Sequence, residues 1–294
     1  MKRILITGAD SYIGTSFEAY LKQWPDAYQA DTLDMTDNNW KNKDFSNYDT
    51  VFHVAGIAHS DNGSISRERA KLYYEVNTKL ALQTAFKAKK AGVRQFIFMS
   101  SIIVYGESAP IGRSKIITRE TQVSPANCYG DSKLKAEQGL LKLQDKNFRI
   151  VILRSPMIYG RGSRGNYPLL SKIAQKLPVF PDIKNCRSML YIGNLCEFVR
   201  LMIENKEQGI FFPQNAEYSV TSELVRMIAA EHGKNILLLK GCTVPLKLLG
   251  LTIGAVNKAF GNLAYAQSMS IYKENYRMTG LRRSVMLAEE TEQK

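Results

Sequence analysis

The chain alternates short apolar runs with stretches in which apolar residues recur at helical spacing. Ile4-Leu5-Ile6-Thr7 reads as a strand buried on both faces. Ile13, Phe17, Tyr20, Leu21 and Trp24 then recur as on one helix face, until Pro25 stops the helix. Further strands are predicted within residues 28–34 and at 51–54, 96–99 and 150–153. Residues 66–91 read as one long helix closed by Gly92. Ser124-Pro125 reads as an N-cap followed by proline at N1, opening a helix to about Asp145. Such alternation predicts an α/β fold, a doubly wound parallel sheet with ligands at the carboxyl ends of its strands.

Beyond residue 156 the alternation becomes irregular. Helices are expected near 167–177, 193–206 and 221–233, with a short strand at 210–212. In residues 245–260, Leu246, Leu249, Ile253, Val256 and Phe260 form one stripe beside Lys247 and Lys258. A stripe of that kind is core or a dimer face, and peripheral membrane contact is the secondary reading. The expected organisation is a dinucleotide-binding domain at 1–155, a smaller mixed substrate lobe at 156–288 packed on it, and a disordered tail at 289–294.

Composition narrows the function. Of 294 residues, 45% are apolar and 23% charged, which excludes a disordered chain and leaves ample core. The four cysteines, at 128, 186, 196 and 242, contain no Cys-x-x-Cys pair and read as reduced thiols of a cytoplasmic protein. Three histidines, at 53, 59 and 232, are too few and scattered for a zinc cluster, so no metal is expected. The opening apolar run is too short for a signal-peptide core, and no window is long and apolar enough for a transmembrane helix. The net charge of +13 divides into +5 for residues 1–150 and +8 for 151–294. It suits a small anionic partner better than nucleic acid, because no nucleic-acid motif or dense basic run accompanies it.

Candidate chemistry begins at Gly8-Ala9-Asp10-Ser11-Tyr12-Ile13-Gly14, between the first strand and helix. There Gly8 permits a tight turn, Gly14 permits close helix packing, and the helix N-terminus offers amides to a pyrophosphate. This is the Rossmann-type dinucleotide arrangement. An acidic acceptor for the adenosine ribose belongs near the end of the second strand. Asp31, Asp34 and Asp37 compete, and Asp34 is preferred because the residues before it then form the strand. No Arg or Lys lies between residues 23 and 40 to meet a 2′-phosphate, which favours NAD and leaves NADP open.

Tyr129 and Lys133 stand four apart, hence on one helix face. A free tyrosine has a pKa near ~10, and a nearby ammonium would pull it toward the working range. Ser101, at the end of the fourth strand, would hold a substrate oxygen in line with Tyr129.

Together these stretches resemble the extended short-chain dehydrogenase/reductases, in the NAD-dependent epimerase/dehydratase family that acts on nucleotide sugars. Further matching stretches are Val51-Phe52-His53-Val54-Ala55-Gly56, Asn77, Ser100-Ser101-Ile102-Ile103-Val104-Tyr105-Gly106, Leu153-Arg154-Ser155-Pro156-Met157-Ile158-Tyr159-Gly160 and Arg187-Ser188-Met189-Leu190-Tyr191-Ile192. The resemblance implies that Tyr129 transfers the proton, that Lys133 lowers its pKa and holds the nicotinamide ribose, and that Ser101 orients the sugar oxygen. It further implies Ala55, Gly56 and Pro156 along the cofactor, and Asn77 anchoring the segment that bears Ser101. Arg187 would grip the nucleotide diphosphate, and Asn166 with the 177–181 stretch, Phe180 included, would embrace a uridine. A homodimer is also implied.

Departures from the family pattern sharpen the expectation. Ser11 replaces its middle glycine, and Met157 an asparagine that touches substrate in many members. Ile102 and Ile103 stand where 4,6-dehydratases carry an acidic pair, so dehydration is not expected. A UDP-sugar 4-epimerase is the leading reading. The alternatives are a 4-reductase of UDP-4-keto-6-deoxy sugars and, less favoured, a non-catalytic cofactor-binding regulator.

Overall fold

A computed structural model describes residues 1–58, 66–252 and 254–290. The chain begins β1 (Lys2–Thr7), α1 (Tyr12–Leu21), β2 (Tyr28–Leu33), β3 (Thr50–His53) and α2 (Arg67–Tyr73). It continues through α3 (Ala81–Lys90), β4 (Gln95–Ser101), β5 (Ile116–Ile117), α4 (Cys128–Leu141) and β6 (Arg149–Ser155). Then come β7 (Met157–Tyr159), α5 (Asn166–Lys176), β8 (Val179–Pro181), β9 (Met189–Tyr191), α6 (Ile192–Glu204) and β10 (Gly209–Phe211). The last elements are α7 (Thr221–Glu231), β11 (Leu237–Leu239), α8 (Thr243–Thr252), α9 (Gly254–Phe260), β12 (Ala264–Tyr265) and α10 (Leu281–Glu289).

Where the sequence suggests one cut after residue 155, the chain forms two units that exchange segments. The first comprises Met1–Gly106, Val123–Ser155 and Leu195–Pro213; the second comprises Glu107–Gln122, Pro156–Asn194 and Gln214–Lys294. The return to the first unit has a physical cause. β10 pairs in parallel with β6, Gly209 opposite Val151, and the buried Gln95 amide donates to the carbonyls of Met202 (2.9 Å) and Glu207 (3.0 Å).

The first unit holds a six-stranded sheet in the order β10-β6-β4-β3-β1-β2, every pairing parallel. Its middle strands are buried nearly end to end because helices cover both faces, so they read as continuous apolar runs rather than alternations. Leu5, Val51, Phe96, Phe98, Ile150 and Ile152 pack against Ala81, Ala85 and Ala88 of α3 and Ala136 and Leu140 of α4. Small residues on the helices let them lie close to the large residues of the strands.

The expected 66–91 helix is continuous but not uniform: between α2 and α3 lies a π-helical segment, Tyr74–Leu80. The helix expected from Ser124 starts later, at Cys128, with Asn127 as N-cap accepting from the Gly130 amide at 2.9 Å. Ser124 instead donates its amide to the Val104 carbonyl (2.9 Å), in an extended approach.

The second unit has its own core, in which Tyr159, Tyr167, Phe180, Leu224, Ile228 and Phe260 are buried. Leu246, Val256 and Phe260 of the expected stripe pack inward there, Leu249 is exposed, and Ile253 lies outside the described residues. Of the expected tail, Glu289 is instead the last residue of α10. Its carboxylate accepts from the Ser171 hydroxyl (2.7 Å) and meets His232 Nε2 at 2.8 Å, while 291–294 lie outside the described residues. Among the described residues no helix is long and apolar enough to cross a membrane.

Candidate active site

β1 and β3 are neighbours, Thr7 opposite His53, and the chain leaves them toward opposite edges of the sheet. Their carboxyl ends therefore form the topological switch point, where a crevice opens in doubly wound sheets. Gly8 there has φ of +89°, and a Cβ on it would lie 3.1 Å from the Ala55 backbone. Only glycine lets the two loops approach this closely. A Cβ on Gly14 would lie 3.1 Å from the Gly8 carbonyl oxygen and 3.2 Å from Ile6, so α1 packs directly on its strand.

Ser11 is the N-cap of α1, its hydroxyl accepting from the Gly14 amide at 3.1 Å. The serine thus turns to the helix's own backbone. The amides of Tyr12 and Ile13 stand at the first two helical positions, at its positive end. This terminus fits a diphosphate, and the glycine contacts leave the backbone close approach a dinucleotide needs.

The three candidate aspartates separate in the structure. Asp31 lies within β2 and accepts from the Tyr48 hydroxyl at 2.6 Å. Asp37 caps a turn, accepting from the Asn39 amide at 2.8 Å. Asp34 follows directly after β2, exposed, on the strand whose last residue pairs with Thr7. Hydrogen bonds from Thr36 fold it into a local turn and hold its carboxyl below the usual range.

Ser101 ends β4, where it caps the turn Ile102–Tyr105. Tyr129 comes from the first turn of α4, and a hydrogen bond joins its phenol to the Ser101 side chain. Gly130 makes the approach possible, since a Cβ there would lie 2.9 Å from the Ile103 carbonyl oxygen. Lys133, one turn on, is buried; its ammonium donates to the Met99 carbonyl at 2.8 Å and lies 4.7 Å from the centre of the Phe98 ring.

Burial lowers the Lys133 pKa to about 8, partly offset by the charge of Glu137. Burial likewise raises the Tyr129 phenol, with the Ser101 hydrogen bond pulling the other way. Burial leaves the phenol above its ordinary value, so the expected net lowering is not seen, and the Lys133 ammonium gives one of its three hydrogens to Met99.

Asn77, on the π-helical segment, is fully buried. Its side chain accepts from the Ile57 amide (2.9 Å) and donates to the Ile57 carbonyl and the Ser132 hydroxyl (both 3.1 Å). It therefore ties the Ala55–Gly56 loop to α4, not the Ser101 segment as expected. π-helical turns commonly mark functional sites because they aim one side chain off the helical period.

Two features here escaped sequence reasoning. Glu137, one further turn along α4, is buried with Arg154, which donates to it at 2.6 Å and to the Tyr105 hydroxyl at 2.7 Å; the Ser100 hydroxyl also donates to Glu137. The spacing Tyr129, Lys133, Glu137 is a repeated step of four and was the available signal. Ser155 pairs with Ser101 in register, and its buried hydroxyl has no hydrogen-bond partner among the described residues.

In the second unit, half-buried Arg187 donates to the carbonyls of Lys258 (2.9 Å) and Gly261 (3.1 Å), and desolvation lowers its pKa. Asn166 is exposed at the first position of α5, and Pro156 is buried directly after β6. Phe180 corrects an expectation: it is a core residue, its ring centre 5.5 Å from that of Phe260.

The model of the NAD dependent epimerase/dehydratase family matches residues 4–212. The chain belongs to this family. It is thus an NAD-dependent enzyme on a short-chain dehydrogenase scaffold. It is 31% identical over 250 residues to a UDP-glucose 4-epimerase of Vibrio cholerae, a match covering 78% of this chain and 75% of that protein. Over 224 residues it is 30% identical to an N-acetyl-alpha-D-glucosaminyl-diphospho-ditrans,octacis-undecaprenol 4-epimerase of Escherichia coli O157:H7, covering 70% and 64%. A solved structure of UDP-glucuronic acid 4-epimerase from Bacillus cereus with NAD shares the fold, with a TM-score of 0.72 at 18% identity, covering 98% of this chain and 97% of that one.

Proposed function

We propose that the protein is a UDP-sugar 4-epimerase that uses Ser101, Tyr129 and Lys133 to move a hydride and a proton at C4. The observation that carries this reading is the Tyr129 phenol hydrogen-bonded to Ser101 at the end of β4, one turn from buried Lys133. The 4-epimerase activity named for two relatives at about a third identity supports the same reading.

In this proposal the α1 amides hold the cofactor diphosphate and Asp34 the adenosine ribose. Gly8, Ala55 and Gly56 give it a flat floor, Asn77 fixes that floor, and Lys133 reaches the nicotinamide ribose with Pro156 beside the ring. NAD supplies the hydride acceptor and, when oxidised, the positive charge that the phenol needs. Tyr129 takes the C4 hydroxyl proton and later returns it, while Ser101 holds the oxygen in line. General acid–base help of this kind contributes on the order of 10²–10⁴-fold.

Arg187 would take the substrate diphosphate, because a half-buried guanidinium held by neutral carbonyls keeps its charge for an anion. Asn166 would meet the nucleoside. Ile102 and Ile103 supply no acid for dehydration. NAD is proposed over NADP because Asp34 would repel a 2′-phosphate. A homodimer and a cytoplasmic location complete the proposal, on the family resemblance.

The test offers UDP-glucose, UDP-galactose and their N-acetyl forms with NAD, and separately a UDP-4-keto-6-deoxy sugar with NADH or NADPH. C4 inversion with no net change at 340 nm is expected. Stoichiometric loss of reduced cofactor on the keto sugar, without inversion of the others, would make the enzyme a 4-ketoreductase.

A further inference from the structure

Strands with period-two alternation present one face to the core and the other outward. β8 and β11 pair in parallel with Leu237 opposite Val179 and Leu238 opposite Phe180. Phe180 and Leu238 pack on the core of the second unit. The opposite face is apolar too: Leu177 is 47% exposed, Val179 39%, Leu237 63% and Leu239 39%. The chain then runs through Lys240, Gly241 and Cys242 into α8, whose Leu246 packs inward while Val244 (66%) and Leu248 (64%) stand outward one turn apart. Of the fifteen exposed large apolar side chains among the described residues, eight fall in 169–179 and 237–249. Exposed apolar residues occur singly on most surfaces; a set gathered in two short segments calls for an occupant.

Charge identifies the occupant. Residues 166–184 and 231–260 carry seven lysines and only two acids, Asp182 and Glu231. These segments, a sixth of the chain, thus hold five of its thirteen net positive charges. Docking two copies through this face would set lysines against lysines, since a two-fold interface presents the same patch from both sides. A nucleic acid would leave the apolar centre unmatched. An interfacial bilayer matches both, taking apolar side chains at the headgroup boundary and lysines against anionic lipid.

We propose that the outer face of the β8–β11 ladder and the outward ridge of α8 dock this protein on an anionic membrane surface. This does not depend on the epimerase reading. It also replaces the stripe suggested by the sequence, whose Leu246, Val256 and Phe260 are core.

The test sediments the full chain with vesicles of phosphatidylglycerol and phosphatidylcholine, and with phosphatidylcholine alone. Binding is expected only with the anionic vesicles, weakening as salt rises. The Leu237→Glu, Leu248→Glu double variant should lose about tenfold or more in vesicle affinity, about 1.4 kcal/mol. Both positions are exposed, so its circular dichroism and its turnover of a freely dissolved nucleotide sugar should match wild type. Lys176→Gln with Lys240→Gln should weaken binding and flatten its salt dependence. Absence of wild-type binding, or equal binding by the leucine variant, would overturn the proposal. So would a wild-type dimer that the leucine variant splits, which would give the face to a second copy.

Discussion

Gly56 and Lys133 share a space too small for one more methyl group. A Cβ on Gly56 would lie 3.2 Å from the Lys133 ammonium nitrogen and 3.0 Å from the Asn77 side-chain oxygen. The loop after β3, the π-helical segment and α4 are thus fitted to one another around a glycine. Gly56→Ala should push the lysine or the asparagine aside. Contacts at these distances require the neighbours to give by a few tenths of an ångström, so the loss should fall well short of the roughly 10²-fold that a 1 Å misplacement can cost. Calorimetric titration with NAD and steady-state assay of the variant should both register the loss. Wild-type values in both would show that the space is not constrained.

Tyr129→Phe removes one oxygen and keeps the ring packed near Tyr73, 6.0 Å between ring centres. Turnover should fall on the order of 10²–10⁴-fold, with NAD affinity nearly unchanged. Lys133→Met should damage both measurements. A Tyr129→Phe enzyme keeping more than about a tenth of the wild-type rate would remove the tyrosine from proton transfer.

Strand placement was legible because a parallel sheet covered on both faces writes itself as apolar runs, as in Phe96–Met99 inside β4. That Tyr129 and Lys133 share one face of α4 was legible from helical spacing alone. What could not be read depended on partners distant in the chain. The π-helical segment around Asn77 keeps a helical composition, so its changed pitch leaves no mark on the pattern. Asn127, not Ser124, is the N-cap, while the Ser124 amide ties the approach to the helix back to Val104. Phe180 was expected at a uridine only from the family resemblance of the 177–181 stretch; here it lies in β8, paired with β11, and packs in the core.

Glu137 and Arg154 form a buried pair under the site. Glu137→Gln should cost about 3–5 kcal/mol, because it leaves the guanidinium without its counter-charge. It should also move the Lys133 pKa further down, since the glutamate charge is what raises it. Urea midpoints would read the first effect. Replacing both partners, as Glu137→Leu with Arg154→Met, should recover much of the stability. If the double variant is no more stable than Glu137→Gln, the charges do not act as a pair.

His53 sits fully buried in β3, Nδ1 at 2.8 Å from the Thr7 hydroxyl, its ring stacked beside Phe96 and Phe98. Burial, with the Lys133 charge adding to it, lowers its pKa from 6.5 to about 3. The unfolded chain therefore binds a proton that the folded chain refuses between these values. Stability should fall as the pH drops from 6.5 toward 3, at up to about 1.4 kcal/mol per pH unit from this group. Denaturation curves of wild type and His53→Phe between pH 7 and 5 should show a shallower slope for the variant. Equal slopes would place the acid sensitivity elsewhere.

The first unit is assembled from Met1–Gly106, Val123–Ser155 and Leu195–Pro213, so the peptide chain passes between the units five times. Modular shuffling by end-joining is thereby closed to this scaffold. Moving the second unit alone from one relative to another needs five matched junctions, because a single recombination after residue 155 would carry the donor's β10 into the recipient sheet. Diversification of the second unit then proceeds by point substitution and by insertion within its own loops, with the first unit inherited alongside it.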